Sequence, residues 1–340
     1  MFYKFARFIP VLYLCPMKKI SILVPENAVL AAITDPRYMF TAVNQFLQAS
    51  GRMPLFEVQL VGMTRDVQLN EGAFSVHTQF LLDEVAQTDL VIVPALSGDF
   101  SEGIAKNEPM RQWIIGQRAQ GAEVASLCVG AFLLAATGLL DGKRCSTHWL
   151  FAPQFRAMFP TVELVDGAII TEDQGMYSSG GATSYWNLLL YLVEKYTDRD
   201  TAILAAKFFA IDIDRDSQSA FMMFKGQKEH DDAAIRAAQE FIETHFTEKI
   251  TIETLADRFA VGRRSFERRF KKATNNTVIE YIQRVKMEAA KRSLESSRKN
   301  INEVMFDVGY TDAKAFRDVF KRWTGLTPVE YRNKYNKAAA

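Results

Sequence analysis

A nine-residue helical motif occurs twice in the last third of this 340-residue chain, at residues 266–274 and again fifty residues later at 316–324. Each copy has Phe at its first and fifth positions, two basic residues directly after the second Phe, and Thr at its end. The match extends upstream at the same offset and pairs Glu253 with Glu303, Leu255 with Met305 and Asp257 with Asp307. Because Phe side chains four residues apart share one helix face, the repeat predicts two similar helix-turn-helix units.

Charge is distributed unevenly along the chain. From Ile250 onward there are 20 Lys and Arg against 11 Asp and Glu, whereas the preceding 249 residues have 21 basic and 29 acidic side chains. A basic terminal domain on an acidic body indicates a polyanionic partner for the terminal domain, although a basic domain can also be simply soluble. The apolar content of 48% and charged content of 24% are globular values and argue against wholesale disorder.

The cysteines and the N-terminal residues indicate the cellular compartment of the protein. Three cysteines, an odd number, fit a reducing compartment, and no His/Cys cluster has zinc spacing, so we expect no metal and no cofactor. Residues 1–17 contain a short apolar run interrupted by Pro10, without a small-residue cleavage site. We interpret residues 1–17 as an extension or a mis-called start rather than a targeting segment. We therefore expect a cytoplasmic protein with no membrane partner.

Residues 18–210 alternate between short apolar runs and segments of helical period. The runs predict strands at residues 20–24, 56–61, 90–93 and 124–127, and the intervening segments predict helices at residues 36–50, 102–120, 131–140 and 182–196. Continuous apolar strands alternating with helices are typical of a parallel sheet with helices on both faces. We therefore predict an α/β N-terminal domain over residues 18–210, with its ligand site at the carboxyl ends of the strands.

The remaining chain is predicted to be a charged linker and an all-α domain. The linker covers residues 211–232, and the all-α C-terminal domain, with two helix-turn-helix units and seven helices, covers residues 233–336. A long helix is predicted over residues 278–296, between the two units, and it should hold the two second helices roughly 34 Å apart, about one turn of DNA. Asn300 and Thr327 each precede a Glu by three residues, which is typical of capped helix starts.

The polar faces of the repeated helices are candidates for contact with double-stranded DNA. The paired Phe side chains face the core, so the basic side chains on the other faces are placed to enter the major groove or to meet phosphates. The predicted DNA-binding residues are Arg263, Arg264, Glu267, Arg268, Lys271, Lys272, Lys314, Arg317, Lys321 and Arg322.

Residues 233–336 closely resemble the AraC/XylS family of bacterial transcription regulators. The resemblance rests on Gly309-Tyr310, on Phe316 and Phe320-Lys321-Arg322, and on residues 325–332. It implies base contacts by Arg264, Glu267, Arg268 and Lys314, and it implies a homodimer that contacts RNA polymerase. One departure is Asp318, where the family often has Arg. An acid there cannot hold a phosphate or a guanine, although it can accept a hydrogen bond from cytosine.

Residues 124–132 predict a strand, a sharp turn at Cys128 and a helix, an arrangement in which the helix dipole lowers a thiol pKa. With residues 138–149, this block resembles the class I glutamine-amidotransferase-like superfamily, in the branch near the PfpI proteases, which is often fused to AraC-type domains. Protease members have His where this chain has Val129. In many relatives an acidic residue contacts the cysteine. That position aligns with Ala32 in this chain, and Glu26 and Asp35 lie close to it in the sequence.

Three interpretations of Cys128 remain open: a catalytic nucleophile, a residue lining a ligand or redox-sensing pocket, or a structural remnant. His148 is either a base or a structural histidine, and Cys145 is expected in the core. The turn at residues 177–183 either binds an anion through its amides or is simply tight. The pocket candidates are Cys128, Val129, His148, Ser179, Gly180 and Gly181.

We expect no catalytic function and favour a transcription regulator controlled by a small-molecule effector bound to the α/β domain. The alternative is a cysteine hydrolase or deglycase-like enzyme that uses Cys128, with accessory DNA binding. A third possibility is an α/β dimerisation module without a ligand.

Overall fold

The computed structural model describes residues 17–213, 217–224, 226–228 and 230–336. The N-terminal extension predicted at residues 1–17 therefore lies, apart from Met17, outside the described residues. The chain divides into two compact units, Met1–Asp216 and Ser217–Ala340.

The first unit is built around a seven-stranded sheet. Its strand order is β10-β11-β7-β6-β1-β2-β5, and every pair is parallel except β10 with β11. The strands of this unit are β1 Lys18–Leu23, β2 Phe56–Gly62, β3 Asp66–Leu69, β4 Phe74–His77, β5 Phe80–Leu81, β6 Leu90–Val93, β7 Glu123–Ser126, β8 Arg144–Cys145, β9 Glu163–Leu164, β10 Ile170–Asp173 and β11 Met176–Ser179. The predicted α/β fold class is confirmed.

The central strand β6 is apolar along its whole length because helices cover the sheet. All four side chains of β6 are fully buried, as a strand covered on both faces requires. The helices of this unit are α1 Ala31–Ala49, α2 Phe100–Lys106, α3 Glu108–Ala119, α4 Ala131–Ala135, α5 Ala152–Met158, α6 Tyr185–Tyr196 and α7 Arg199–Phe209.

Three predicted helices differ from the structure. The helix predicted over residues 36–50 begins five residues earlier, at Ala31, so Pro36 lies inside it. The helix predicted over residues 102–120 is two helices, because Asn107 ends α2 with its side chain bonded to the Gly103 carbonyl at 2.8 Å, and Pro109 follows within the first turn of α3. The helix predicted over residues 131–140 ends at Ala135, and turns follow it. Apolar residues keep their helical spacing across such breaks, so this spacing did not show where the helices end.

The second unit is helical, and seven α-helices lie in its described residues, as expected. They are α8 Ala233–His245, α9 Ile252–Arg258, α10 Arg263–Thr274, α11 Val278–Ser296, α12 Ile301–Asp307, α13 Ala313–Thr324 and α14 Pro328–Tyr335. The helix predicted over residues 278–296 is confirmed as α11. Reciprocal capping hydrogen bonds at Thr277, Asn300 and Thr327 fix the starts of α11, α12 and α14.

We call α9 with α10 the first repeat and α12 with α13 the second repeat. The bounds of α10 and α13 correspond at the predicted offset of fifty, but those of α9 and α12 correspond at 49. The N-cap Thr251 therefore matches Asn300, and buried Leu255 matches buried Val304 rather than Met305. The upstream pairing predicted at fifty was wrong by one residue, because the turn of the second repeat is one residue longer.

Each repeat has its own apolar core, and α11 contributes to both. Phe266 and Phe270 are fully buried in the first, and Phe316 and Phe320 are almost completely buried in the second, as the i, i+4 spacing predicted. The first half of α11 packs in the first core and its second half in the second. With 19 residues α11 is roughly 28 Å long, so a single continuous helix connects the two repeats.

Candidate nucleic-acid interface and the turn at Cys128

The exposed face of α10 has a row of basic side chains. Arg264, Arg268 and Lys272 follow one another at four-residue spacing, all three are exposed, and within the described residues none has an intramolecular hydrogen-bond or ion-pair partner. Their charges are therefore available to an external ligand. We call these three side chains the first basic row.

The same face of α13 has a different chemistry. At an offset of fifty, Lys314, Asp318 and Arg322 occupy the positions of the first basic row, and all three are exposed. Asp318 therefore occupies the position on α13 that corresponds to Arg268 on α10. Arg317 and Lys321 are also exposed on α13, one residue before Asp318 and Arg322 respectively.

Other predicted DNA-binding residues are already engaged within the protein. Arg263 pairs with Glu253 on α9 and lies 4.0 Å from Glu267 on its own helix. Lys271 donates to the Asn275 carbonyl at 3.0 Å, at the C-terminal end of α10, and lies 3.8 Å from Glu280. The side chains of Arg263 and Lys271 stay more than half exposed, so both can still meet phosphates after a small rearrangement.

Arg269, which lies directly after Arg268, has a structural role that the sequence did not reveal. Its guanidinium donates two hydrogen bonds to Asp232, at 2.8 and 2.6 Å. The same carboxylate caps α8 by accepting from the Ile235 amide at 3.2 Å, and the Arg269 hydrogen bonds hold the pKa of Asp232 below its usual value. The pair therefore ties the start of α8 to the recognition helix α10.

Residues 217–224 and 226–228, which precede α8, pack against the helices of the second unit. We call this segment the strap. The carbonyl of Ala220 accepts from the Tyr335 hydroxyl at 3.2 Å, and the amide of Phe224 donates to Glu288 on α11 at 3.1 Å. Nearer α8, the Gln227 carbonyl accepts from Gln239 at 2.9 Å. The strap thus contacts α14, α11 and α8.

Arg284 on α11 joins the strap to both repeats. Its guanidinium lies 4.5 Å from the ring centre of Phe224 and 5.0 Å from that of Trp323 on α13. It also donates to Asn276, just after the first repeat, at 3.0 Å. Sequence reasoning missed Arg284, because contacts with an irregular segment leave no periodic signal.

Cys128 lies at a sharp turn between β7 and α4, as predicted. Its φ of +54° is in the left-handed region that non-glycine residues rarely adopt. Gly130 is required nearby, since a Cβ there would lie 2.5 Å from the Pro94 carbonyl oxygen. The Cys128 amide donates to Ser179 Oγ at 3.2 Å, and Thr147 Oγ1 donates to the Cys128 carbonyl at the same distance. The turn is therefore held firmly from two sides.

The expected lowering of the thiol pKa is not found. Cys128 is 5% exposed, and burial raises the pKa of its thiol to about 12, although the Val129 amide lowers it slightly. The dipole effect is small because only a short turn and the five-residue helix α4 follow the cysteine. Cys145, also buried as predicted, has a pKa raised to about 12 by burial.

A tyrosine lies between Cys128 and the carboxylate of Asp35. Asp35 accepts a hydrogen bond from the Tyr185 hydroxyl at 2.6 Å. Burial raises the pKa of Tyr185 most, Asp35 raises it further, and the charge of the nearby Cys128 thiolate makes the smallest contribution. Ala32 is buried and Glu26 is exposed. No carboxylate among the described residues is hydrogen-bonded to the Cys128 thiol.

The other pocket candidates are brought together only in part. His148 uses Nδ1 to accept from the Leu150 amide at 3.1 Å, and burial lowers its pKa. No hydrogen bond joins His148 to Cys128 in the described part of the chain. Val129, Ser179, Gly180 and Gly181 are buried, and the Gly180 amide donates to the Ile169 carbonyl at 2.9 Å. This amide is therefore not free for an anion.

No helix in the described ranges combines the length and the apolar character that a membrane span requires. Within the same ranges, no group of three or more His, Cys, Asp and Glu side chains is placed to hold a metal ion.

Family models match both units of the chain. The model of the DJ-1/PfpI family matches residues 18–195, and the model of a helix-turn-helix domain matches residues 255–334. The first match covers just over half of the chain and includes the turn at Cys128.

Relatives with known names match different parts of the chain. The HTH-type transcriptional regulator GbdR of Pseudomonas aeruginosa is 24% identical over 217 residues, which are 64% of this chain and 59% of GbdR. The bifunctional transcriptional activator/DNA repair enzyme AdaA of Bacillus subtilis is 41% identical over 93 residues, 27% of this chain and 44% of AdaA. The chain thus spans about three fifths of the length of GbdR.

A solved structure agrees with the fold of the first unit. The crystal structure of a candidate transcriptional regulator protein from Vibrio parahaemolyticus has a TM-score of 0.51 and 23% identity, and the match covers 57% of this chain and 99% of that one.

Proposed function

The chain belongs to the DJ-1/PfpI family and has an AraC-type helix-turn-helix domain, and from this we propose that it is a sequence-specific, DNA-binding transcription regulator. The observation that supports this most strongly is the pair of exposed recognition faces on α10 and α13, in two equivalent repeats joined by one rigid helix. A single chain then contacts two segments of major groove.

The two recognition helices contact different bases. In the first basic row, Arg264 and Arg268 have free guanidinium groups, which bind guanine with two hydrogen bonds. In the second repeat, Asp318 replaces the central arginine and accepts from the amino group of cytosine, while Lys314 supplies the cation. Lys272, Lys321 and Arg322, near the helix ends, bind phosphates and give affinity without sequence information.

The first unit controls this activity through a small-molecule effector. The strap can transmit the effect of the effector to the DNA-binding helices. It comes directly after the first unit in the sequence, and it is hydrogen-bonded to α8, α11 and α14. An effector acts only if it binds two states of the protein with different affinity, and those states here differ in how the strap is held. We further propose a homodimer that contacts RNA polymerase and acts in the cytoplasm, where bacterial DNA is found.

We propose that the first unit does not act as a cysteine hydrolase. A hydrolase needs a thiolate and a base within hydrogen-bond reach, and Cys128 is a buried thiol with a raised pKa and no bond to His148. These features favour a binding role for the turn over a catalytic one.

A binding selection with the full-length protein tests the proposal. Random-sequence duplex DNA is bound at about 150 mM salt, recovered and sequenced through several rounds, since weak phosphate contacts alone give no preference at that salt. The proposal predicts enrichment of one defined sequence. Recovery of the library without any enriched sequence would contradict it.

A further inference from the structure

A concave cleft lies in the second unit, between the residues ahead of α9, the long helix α11 and the second repeat. Its walls come from residues 247–250 ahead of α9, from residues 279–286 of α11, and from residues 306–311, which include the turn before α13. Its volume is about 520 Å³, within the range of small-molecule sites, which is roughly 300–1,000 Å³. All of its lining residues belong to the second unit, and none of them lies on α10.

The lining of this cleft is largely apolar and partly open to solvent. Ile279 on α11 is 57% exposed and Phe306 on α12 is 60% exposed, and Ile250, Ile282 and Tyr310 also line the cleft. Large apolar side chains exposed together in a concavity lose contact with water when a ligand covers them. The lining therefore favours a ligand with an apolar body.

A single buried cation also lines the cleft. Lys286 is 9% exposed, and its ammonium group donates to the Gly309 carbonyl at 3.2 Å and lies 5.4 Å from the ring centre of Tyr310. No carboxylate of the described residues lies within 4.0 Å of it. An ammonium group has three N–H donors, and leaving a buried charge without a counter-charge costs free energy. Burial accordingly lowers the pKa of Lys286.

The other charged groups of the cleft do not neutralise Lys286. Glu248 and Lys249 are both exposed, so their opposite charges lie in water at the opening. The part of the cleft nearest Lys286 thus combines one desolvated cation with aliphatic and aromatic walls. Its chemical complement is one anionic group attached to an apolar chain or ring.

We propose that this cleft binds a small amphipathic carboxylate. The carboxylate pairs with the Lys286 ammonium, and the apolar body lies between Ile279 and Phe306. Such a ligand would contact the second repeat, α11 and the residues ahead of α9 at once and, on the function proposed above, would restrain the turn that leads into α13.

Equilibrium binding of octanoate to the full-length protein, without DNA, tests this site. Octan-1-ol, which has the same chain and no charge, is the ligand control. Lys286→Met removes the cation, and Ile279→Asp, at an exposed position, adds a repelling charge to the wall. Lys299→Met, a substitution of an exposed lysine outside the cleft, is the matched control.

We expect one octanoate site, at least about tenfold weaker in Lys286→Met and in Ile279→Asp and unchanged in Lys299→Met, since a charge-assisted hydrogen bond is lost or opposed. Octan-1-ol should bind at least about tenfold more weakly than octanoate. Equal octanoate affinity in the wild type and both cleft variants, equal binding of the alcohol, or no binding at about 10 mM octanoate would each overturn the proposal. Because no DNA is present, none of these results bears on the DNA-binding function.

Discussion

Substituting Arg268 or Arg269 by alanine removes the same side chain from neighbouring positions of α10, yet the two changes should act on different properties. Arg268 belongs to the first basic row and has no intramolecular partner among the described residues, whereas Arg269 is bonded twice to Asp232. We expect Arg268→Ala to alter DNA recognition and Arg269→Ala to alter stability.

The effect of Arg268→Ala follows from its exposure. Because no contact within the protein is lost, the free energy of unfolding should change by less than about 0.5 kcal/mol. A lost bidentate contact with guanine should reduce discrimination against a wrong base by about 1–3 kcal/mol, which is roughly 5- to 160-fold in the ratio of dissociation constants.

The effect of Arg269→Ala follows from its pair with Asp232. The two side chains are 37% and 23% exposed, so solvent screens them and the lost bonds should lower the unfolding midpoint by a small but measurable amount. Because Arg269 holds the pKa of Asp232 below 3.8, the stabilisation is present above that pH and is lost as pH falls through the folded-state pKa. The difference from wild type should therefore shrink in acid.

The assays are thermal unfolding of both variants from about pH 3 to 7 and competition binding to the selected site and to single-base variants of that site. Preserved site discrimination in Arg268→Ala would refute the assignment of the first basic row. Loss of discrimination in Arg269→Ala, with stability unchanged, would refute the structural role of its pair with Asp232.

Three further predictions concern other parts of the chain. Native Cys128, with a pKa near 12, should react with iodoacetamide far more slowly than the denatured chain at pH 8, and equal rates would contradict its burial. Gly309→Ala should lower the free energy of unfolding by at least about 2 kcal/mol. The reason is that φ of Gly309 is +73° and a Cβ there would lie 2.5 Å from the Thr247 carbonyl oxygen. An unchanged midpoint in chemical denaturation would contradict this. Lys272→Ala should weaken binding to all DNA sequences alike and should reduce the slope of log affinity against log salt concentration by about 0.9. An unchanged slope would show that Lys272 does not contact a phosphate.

The sequence predicted those elements whose side chains carry a local signal. The bounds of α11 followed from the cap at Thr277 and from apolar residues at helical spacing, and the buried faces of α10 and α13 followed from the paired Phe residues. The sharp turn at Cys128 followed from small residues between an apolar run and a helix. In each case the signal lies within a few residues of the feature.

Features that depend on distant contacts could not be predicted in this way. The one-residue shift between α9 and α12 was hidden because Glu and Asp recur on exposed helix faces and give chance matches at several offsets. The pairing of Arg269 with Asp232 joins residues 37 positions apart, and the strap contacts α11 through backbone groups that any sequence supplies. The thiol pKa of Cys128 depended on burial by the whole fold, which outweighed the short helix after it.

Hydroxyl-radical footprinting of the full-length protein on its selected site tests the central claim most directly, namely that one chain contacts two segments of major groove through α10 and α13. The account predicts two protected segments with centres about 10 base pairs apart on one face of the duplex, of which Arg268→Ala weakens one and Lys314→Ala the other. A single protected segment, or two segments weakened equally by either substitution, would contradict it.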